Sequence, residues 1–512
     1  MRLRISNTWT QIEEATDEEL RAIDECLSFE IPNAKWILAR HLEKHLQELM
    51  DEEARLAGRP GLEARYDSVR WLRRQCQRLI QKVKRRKKFS HEEAASLFPD
   101  CWRCQWDHRI HFLDRRRKAV PTGLLFYISH LTQGAEIVDE RRKPGEARPW
   151  RTTIRLRDYQ EEIVQAAIEA ERGIIEVATG GGKTEIAIEI IARLGLRTLI
   201  IVPTTPIFNE FKSRWPEYCP DVPLGIIAKG KFEPDWVTLA IFDEGWARDP
   251  ARGGKLAREV DLIIVDEHHK SAADTWFDYL MTVDAYYRFG QTATASREEG
   301  YGETMKLHAV TGPILARKPT RELQDEGYLS EARVEFIPVR CLPVAGSWAE
   351  KYRYGIAYNT ERNLHIATEA LYHQSKGRKV LIIVNWEEHA NLLMDEYLGR
   401  ENCLFLHGGM SAQKAQEIKD EFIATNKILI GTPVVDLGFN VPTIDVLIMA
   451  AGGKAHGRQQ QRLGRSLRIA PGKPFAQVID FWDEDDGVLE KHSEERWRTY
   501  TALGQQVSMR QV

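Results

Sequence analysis

The stretch Glu176-Val-Ala-Thr-Gly-Gly-Gly-Lys-Thr184 constrains this 512-residue chain more than any other. It follows an apolar run, Ile174, Ile175 and Val177, and precedes the helix-like Glu185-Ile-Ala-Ile-Glu-Ile-Ile-Ala192. Strand, glycine loop, Lys-Thr and helix is the order a phosphate-binding loop requires. Glycines let backbone N–H groups crowd around phosphate oxygens, and the helix N-terminus adds partial positive charge. In that setting Thr179, Gly180, Gly181 and Gly182 form the cradle. Lys183 reaches the β- and γ-phosphates of ATP, and Thr184 ligates Mg2+. The strict pattern asks for glycine where Val177 stands.

A second element supports the first. Leu262-Ile-Ile-Val265 reads as a buried strand and runs into Asp266-Glu267-His268-His269. Asp266 at the strand end fits the metal partner, and Glu267 fits the group that activates water. The two elements together read as a triphosphate-hydrolysing site rather than as a glycine-rich turn.

Composition excludes several classes. A hydrophobic content of 43% with 29% charged residues is ordinary for a soluble globular protein. No apolar run approaches the roughly 18 residues that span a membrane, and the opening Met1-Arg-Leu-Arg-Ile-Ser lacks a signal-peptide core. Seven scattered cysteines suit a reducing cytoplasm. The formal net charge is −3, so any nucleic-acid surface must be local.

From about residue 155, short β-branched strands alternate with amphipathic helices. The strands are Ile174–Val177, Thr198–Val202, Leu262–Val265 and Tyr287–Gly290, then Val380–Val384, Cys403–Leu406, Ile428–Ile430 and Val446–Met449. Such alternation predicts parallel sheets with crossover helices. Two series predict two α/β domains, over 146–335 and 336–512, joined where Val334–Pro343 reads as extended chain. Residues 1–145 form a small α+β accessory domain with a helical insertion at about 34–100. Helices are expected over 34–58 and 66–88, and strands over Trp106–Asp114 and Leu124–Ile128. Residues 142–151 read as a linker.

Residues 70–88 carry ten Lys or Arg and no acid, ending in Lys84-Arg85-Arg86-Lys87-Lys88. Leu72, Cys76, Leu79 and Val83 recur at helical spacing, so one face packs while the other stays basic. That face reads as a DNA-backbone contact, with a solvated helix face as the alternative. Cys101 and Cys104, followed by His108 and His111, have zinc-like spacing. Histidines three apart in a strand face opposite sides, so a packed cysteine pair is the preferred reading.

Further motifs follow in a fixed order: Leu156-Arg-Asp-Tyr-Gln160 before the glycine loop, Val202-Pro-Thr-Thr205 after it, and Gln291-Thr-Ala-Thr294 after the acidic motif. Gly431-Thr-Pro-Val-Val-Asp-Leu-Gly-Phe-Asn440 and Gln461-Arg-Leu-Gly-Arg-Ser-Leu-Arg468 close the series. The ordered set resembles superfamily 2 helicases and translocases over roughly residues 155–485. The resemblance implies two RecA-like domains with ATP in the cleft between them. It implies that Tyr159 and Gln160 meet adenine, and that Thr292, Thr294 and Gly438 couple hydrolysis to the nucleic-acid track. It puts Thr204, Thr205 and Thr432 on that track, and Gln461, Arg465 and Arg468 at the γ-phosphate. Asp243-Glu-Gly stands where the family has Thr-x-Gln, so Asp243 and Glu244 receive no role.

Within the superfamily the chain resembles UvsW-type helicases of tailed phages. Cys26-Leu-Ser-Phe-Glu30, Trp106–Asp114 with Val120–Leu125, and Gly487–Tyr500 carry that likeness. It implies a monomeric, ATP- and Mg2+-dependent motor that unwinds or remodels forks, junctions and other branched DNA in recombination, repair and replication restart. A single-strand-binding or recombination protein is the expected partner. His268-His269 and Gln461 lean away from RNA. The alternatives are an RNA helicase, and a DNA translocase or annealing motor, as in a nuclease complex, that does not unwind.

Overall fold

The computed structural model describes residues 1–30, 34–84, 94, 96–98, 109–293, 301–341, 346–432, 444–453 and 475–510. The chain divides into two compact units, Met1–Arg141 with Ser296–Ala309, and Arg142–Ala295 with Val310–Val512. The segment Ser296–Ala309, expected within the first α/β domain, thus clusters with the N-terminal residues.

In the N-terminal unit, β1 (Arg2–Ile5) and β2 (Trp9–Glu13) pair antiparallel. With β5 (Ala119–Pro121) and β6 (Glu136–Asp139) they form a sheet of order β5-β2-β1-β6. Helix α1 (Asp17–Cys26) starts at a capping box, in which Thr16 and Glu19 satisfy each other's backbone N–H groups. β3 (Ser28–Glu30) pairs with β4 (Arg109–His111). Between those two strands lies the helical insertion, α2 (Ala34–Leu56) and α3 (Glu63–Lys84). Leu42 and Leu49 of α2 and Cys76, Leu79 and Val83 of α3 share one buried cluster, as the 3.6-residue spacing requires.

Two expectations change here. The apolar run at Leu124–Ile128 is not a strand: Thr122–Ile128 is a buried 3-10 helix, and the strand is the preceding Ala119–Pro121. A short apolar run does not by itself separate strand from buried helical turn. Gly123 is the pivot, because a Cβ there would lie 2.1 Å from the His308 carbonyl oxygen. Of Trp106–Asp114, only Arg109–His111 is strand among the described residues. Cys101, Cys104 and His108 lie outside those residues. His111 Nδ1 sits 2.9 Å from Asp24 Oδ1.

The second unit holds two sheets. The first has the order β10-β9-β11-β8-β12-β13-β7-β14. Its central strands are β7 (Arg172–Val177), β8 (Thr198–Val202), β11 (Val237–Ile241), β12 (Leu262–Asp266) and β13 (Tyr287–Thr292), all parallel. β9 (Leu224–Ala228) and β14 (Ile314–Lys318) extend the parallel set, and β10 (Lys231–Glu233) pairs antiparallel at one edge. Helices α4 (Asp158–Ala170), α5 (Lys183–Leu194) and α6 (Thr205–Tyr218) supply Ile163, Ile186 and Phe211 to the core, against Ile175, Ile200 and Ile264. Burial on both faces explains why β8 and β12 read as continuous apolar runs.

The second sheet has the order β17-β18-β16-β19-β20-β15-β21 and is parallel throughout. Its strands β16 (Val380–Ile383), β17 (Cys403–Leu406), β18 (Ile428–Gly431) and β19 (Val446–Ile448) match the predicted series. The stretch after residue 330 is extended, as its pattern suggests, and is part of the second sheet. It is β15 (Glu331–Arg340), paired along its whole length with β20 (Phe475–Glu484). Its other neighbour, β21 (Gln506–Met509), reaches only Arg333–Phe336, so Pro338 lies where β15 has one partner.

Residues 142–151 are likewise fastened. The Arg142 guanidinium binds Asp261 at 2.6 Å and donates to the Val260 carbonyl at 2.6 Å. The Arg148 and Trp150 amides donate to Gly195 and Ala192. No described helix is long and apolar enough to cross a membrane.

Candidate nucleotide-hydrolysis site

The glycine loop leaves β7 and enters α5 at Lys183. Gly180 and Gly182 have φ of +88° and +81°, where only glycine is unstrained. Val177, in place of the expected glycine, has a packing role. It is fully buried, and a Cβ on Gly181 would lie 2.5 Å from its Cγ1. The valine fills the floor, and the missing side chain on Gly181 makes room for it.

Tyr159 and Gln160 support this loop from beneath. Tyr159 Oη donates to the Gly181 carbonyl at 2.6 Å, and Gln160 Nε2 donates to the same oxygen at 3.1 Å. Gln160 Oε1 accepts from the Arg157 amide. Both side chains are buried, and burial raises the Tyr159 pKa. The structure thus places them as braces of the cradle. Lys183 Nζ lies 3.2 Å from the Val177 carbonyl, inside the loop where a phosphate oxygen would otherwise be met. Thr184 occupies the next position at the start of α5, and Thr179 opens the loop; both are half-buried.

Asp266 ends β12, between β8 and β13 at the centre of the sheet. Its side chain is buried, and Oδ1 has no hydrogen-bond partner among the described residues. Desolvation and the neighbouring Glu267 charge push its pKa up to about 7, against the pull of Lys183. Glu267 has φ of +48°, an unusual backbone state for a residue with a side chain, and this turns its carboxylate off the strand axis. His269 Nδ1 lies 3.3 Å from Glu267 Oε2. His268 is wholly buried, with Nδ1 3.0 Å from Ser271 Oγ and Nε2 3.1 Å from Thr311 Oγ1. Gly290 admits its ring, since a Cβ there would lie 2.3 Å from it. The His-His pair therefore divides into a structural residue and one beside the carboxylate.

The structure brings Lys183, Thr184, Asp266 and the glycine loop onto one end of a parallel sheet, where ligands of such folds bind. An unpartnered carboxylate oxygen beside a lysine and a threonine at a helix N-terminus is the donor set a hydrated magnesium ion and a phosphate chain require.

Thr292 is buried at the end of β13. Thr204 caps α6 and Thr205 begins it; Thr204 Oγ1 is buried without a partner among the described residues. Thr432 is buried just after β18. Thr294, Gly438, Gln461, Arg465 and Arg468 lie outside the described residues. Asp243, unassigned from sequence, caps the short helix Glu244–Ala247 by accepting from the Gly245 amide at 2.9 Å.

Sequence reasoning missed Arg288. It is fully buried on β13 and donates to the carbonyls of Val310 and Leu280 at 2.8 and 2.7 Å, and to that of Val283. Desolvation, then Arg172, lowers its pKa to about 9. A charged residue inside an apolar strand was the available signal.

Comparison with known proteins locates these features. The family described as "Type III restriction enzyme, res subunit" matches residues 153–297, and "Helicase conserved C-terminal domain" matches 362–470. The chain is 26% identical over 361 residues to the DNA 3'-5' translocase XPB2 of Sulfurisphaera tokodaii, covering 62% of this chain and 79% of that one. It is 25% identical over 348 residues to the general transcription and DNA repair factor IIH helicase/translocase subunit XPB of Danio rerio, of which it spans 43%. Among solved structures, the type ISP restriction-modification enzyme LlaBIII bound to DNA aligns over 75% of this chain and 34% of its own, at 16% identity and a TM-score of 0.53, a likeness of fold. T4 UvsW aligns over 100% of this chain and 99% of its own, at 16% identity and a TM-score of 0.39.

Proposed function

We propose that this chain is a superfamily 2 helicase, a Mg2+-dependent ATP-driven motor that moves on DNA and remodels branched duplexes. The observation that carries the reading is the geometry at the end of the first sheet. Lys183 in a phosphate cradle lies at the same sheet end as the buried Asp266, whose Oδ1 has no partner among the described residues, with Glu267 next to it in a left-handed backbone state. Mg2+ supplies charge neutralisation on the β- and γ-oxygens when bound. Lys183 contacts the phosphates, Thr184 and Asp266 hold the cation, and Glu267 takes the proton of the attacking water. The likeness to superfamily 2 assigns Arg465, Arg468 and Gln461, outside the described residues, to the γ-phosphate. That arrangement makes hydrolysis depend on domain closure, and a cross-cleft arginine contributes ~10³–10⁵ in rate.

DNA is the favoured track. The relatives reported above are a DNA translocase and a subunit of a transcription and DNA repair factor. Hairpin α2–α3 adds a local basic face, as an acidic chain of net charge −3 requires. Glu53 of α2 neutralises part of it, lying 2.5 Å from Arg73 and 4.0 Å from Arg70. Arg74 and Arg78 remain exposed on the outer face beside Trp71, and Lys84–Lys88 continue the basic sequence beyond the described side chains. Basic groups beside an exposed indole suit a backbone and unstacked bases.

ATPase activity measured with single-stranded DNA, duplex, a fork, a four-way junction and RNA tests the reading. Strong stimulation by forks or junctions, with strand separation, is the expected result. Stimulation by RNA alone would overturn the DNA assignment. Stimulation by plain duplex without unwinding would make the chain a translocase, like the Sulfurisphaera tokodaii relative.

A further inference from the structure

Gln291 lies in β13 and is completely buried, yet neither its Nε2 nor its Oε1 has a hydrogen-bond partner among the described residues. Buried amides are nearly always bonded, because desolvation without a partner is costly. Its position is specific. In the β12–β13 ladder Gln291 stands opposite Asp266, and in the β13–β7 ladder it stands opposite Ile175. Ladder partners project to one face of a sheet, and this face carries Ile264, Phe289 and Ile175 in the core beneath α5. The row is therefore apolar until its last rung, where a carboxamide faces the carboxylate whose Oδ1 is also unpartnered. A leucine or methionine would fill that place in an apolar column without stranding two polar atoms.

We propose that Gln291 is a positioning residue for the metal–nucleotide complex. In the ligand-free protein the amide and the carboxylate are neighbours without a bond. With Asp266 engaged by a divalent cation, Gln291 Nε2 would donate to the Asp266 carboxylate. The amide then gains the partner it lacks. Because Thr292 follows directly on the same strand, the bond ties the position of the Thr-Ala-Thr segment to occupancy of the nucleotide site. Gln291 touches neither phosphate nor water; it acts through Asp266. This inference rests on the nucleotide-site reading above.

The test uses the full chain and the variants Gln291→Met and Gln291→Leu, with ADP and MgCl2 as probes. Two quantities are read: the thermal midpoint without ligand, and the ratio of ADP dissociation constants without and with Mg2+. Removal of the stranded amide is expected to raise the ligand-free midpoint by a few degrees. The Mg2+ ratio is expected to shrink about tenfold, while ADP affinity without Mg2+ stays at the parent value. An unchanged ratio overturns the proposal and leaves Gln291 a core residue. A lowered midpoint in both variants also overturns it, because the amide is then bonded within the fold. Gln291→Asn, which keeps the amide on a shorter stem, is expected to recover part of the ratio; equal loss would assign the effect to volume. Parent protein that fails to bind ADP at all would remove the nucleotide-site reading itself, a separate outcome.

Discussion

Each of the two sheets carries buried aspartate, Asp266 in the first and Asp480 with Asp483 in the second, and the two sheets treat it oppositely. In the second sheet Asp480 and Asp483 are saturated. Arg496 Nε lies 3.1 Å from Asp480 and its Nη2 3.3 Å from Asp483. Tyr500 Oη donates to Asp480 at 3.1 Å, Ser493 Oγ reaches Asp483 at 3.2 Å, and Arg362 also binds Asp483. Burial works against the Arg496 charge, but the two aspartates outweigh it and its pKa stays raised. In the first sheet Asp266 has a stranded oxygen and a raised pKa, and the nearest cation, Lys183, bonds a backbone carbonyl instead. Buried charge closed within the fold is architecture, whereas buried charge left open waits for a ligand. The strained Glu267 and the unpartnered Gln291 belong to the open side.

The comparison breaks first at Lys183. Lys183→Ala should lower ATP turnover by at least ~10³-fold while leaving the circular dichroism spectrum and melting curve intact. Near-normal turnover in a folded variant would mean that the open side is not a hydrolysis site. Glu267→Gln should follow with a ~10²–10⁴-fold loss of turnover and retained Mg·ATP binding. Loss of binding as severe as in Asp266→Ala would merge the two carboxylates into one role.

Arg496→Met tests the closed pair. It removes the cation from Asp480 and one of two cations from Asp483, and should cost ~3–5 kcal/mol in urea unfolding. The change also removes the bond from Arg496 Nη1 to the Gly453 carbonyl, 3.1 Å. A loss under about 1 kcal/mol would show that the network is no more structural than a surface pair.

A smaller effect separates the two sheets by pH. Asp266 has a folded pKa near 7, above its unfolded value, so the folded state binds the extra proton between about pH 4 and 7. Its contribution should therefore weaken ligand-free stability as pH rises through that window and then level off. Melts of parent and Asp266→Asn between pH 5 and 8 should differ in slope, the variant being flatter. Identical slopes would return Asp266 to an ordinary carboxylate. His389 works in the other direction: burial, then Arg362, lowers its pKa to about 3, so its contribution is lost as pH falls below 6.5.

The smallest effect lies outside both sheets. Arg74→Gln with Arg78→Gln should flatten the salt dependence of DNA binding, by roughly 0.9 in log–log slope for each duplex phosphate no longer neutralised. ATP turnover at saturating DNA should persist. An unchanged slope would leave the hairpin face merely solvated.

Most of the motor was legible in the amino-acid sequence. Local pattern suffices for a glycine loop between strand and helix, or for a β-branched run such as Thr198–Val202, because these signals are contiguous in the chain. The 3.6-residue spacing of Cys76, Leu79 and Val83 likewise reports which face of α3 packs. Where two structures share one local pattern, the reading slipped. Leu124–Ile128 is apolar enough for a strand but coils against the 301–309 segment of the same unit. Val334–Pro343 was legible as extended chain, but not its partner: β20, more than a hundred residues later, hydrogen-bonds it through Arg340.

The sequence by itself determined the local patterns: the glycine loop between strand and helix, the acids at a strand end, and the order in which the motifs run. Those properties depend on residue type and on short spacing. Only the tertiary structure decided which charges are open and which are closed. Asp266 and Asp483 are both acids in apolar strands, and nothing within ten residues of Asp483 announces Arg362. Partners that close a charge arrive from distant segments, and burial, which makes an unclosed charge costly, is a property of the packed whole. Gln291 shows the same division: an ordinary letter before Thr-Ala-Thr, it becomes a stranded amide beside the metal ligand only when β12 and β13 lie side by side.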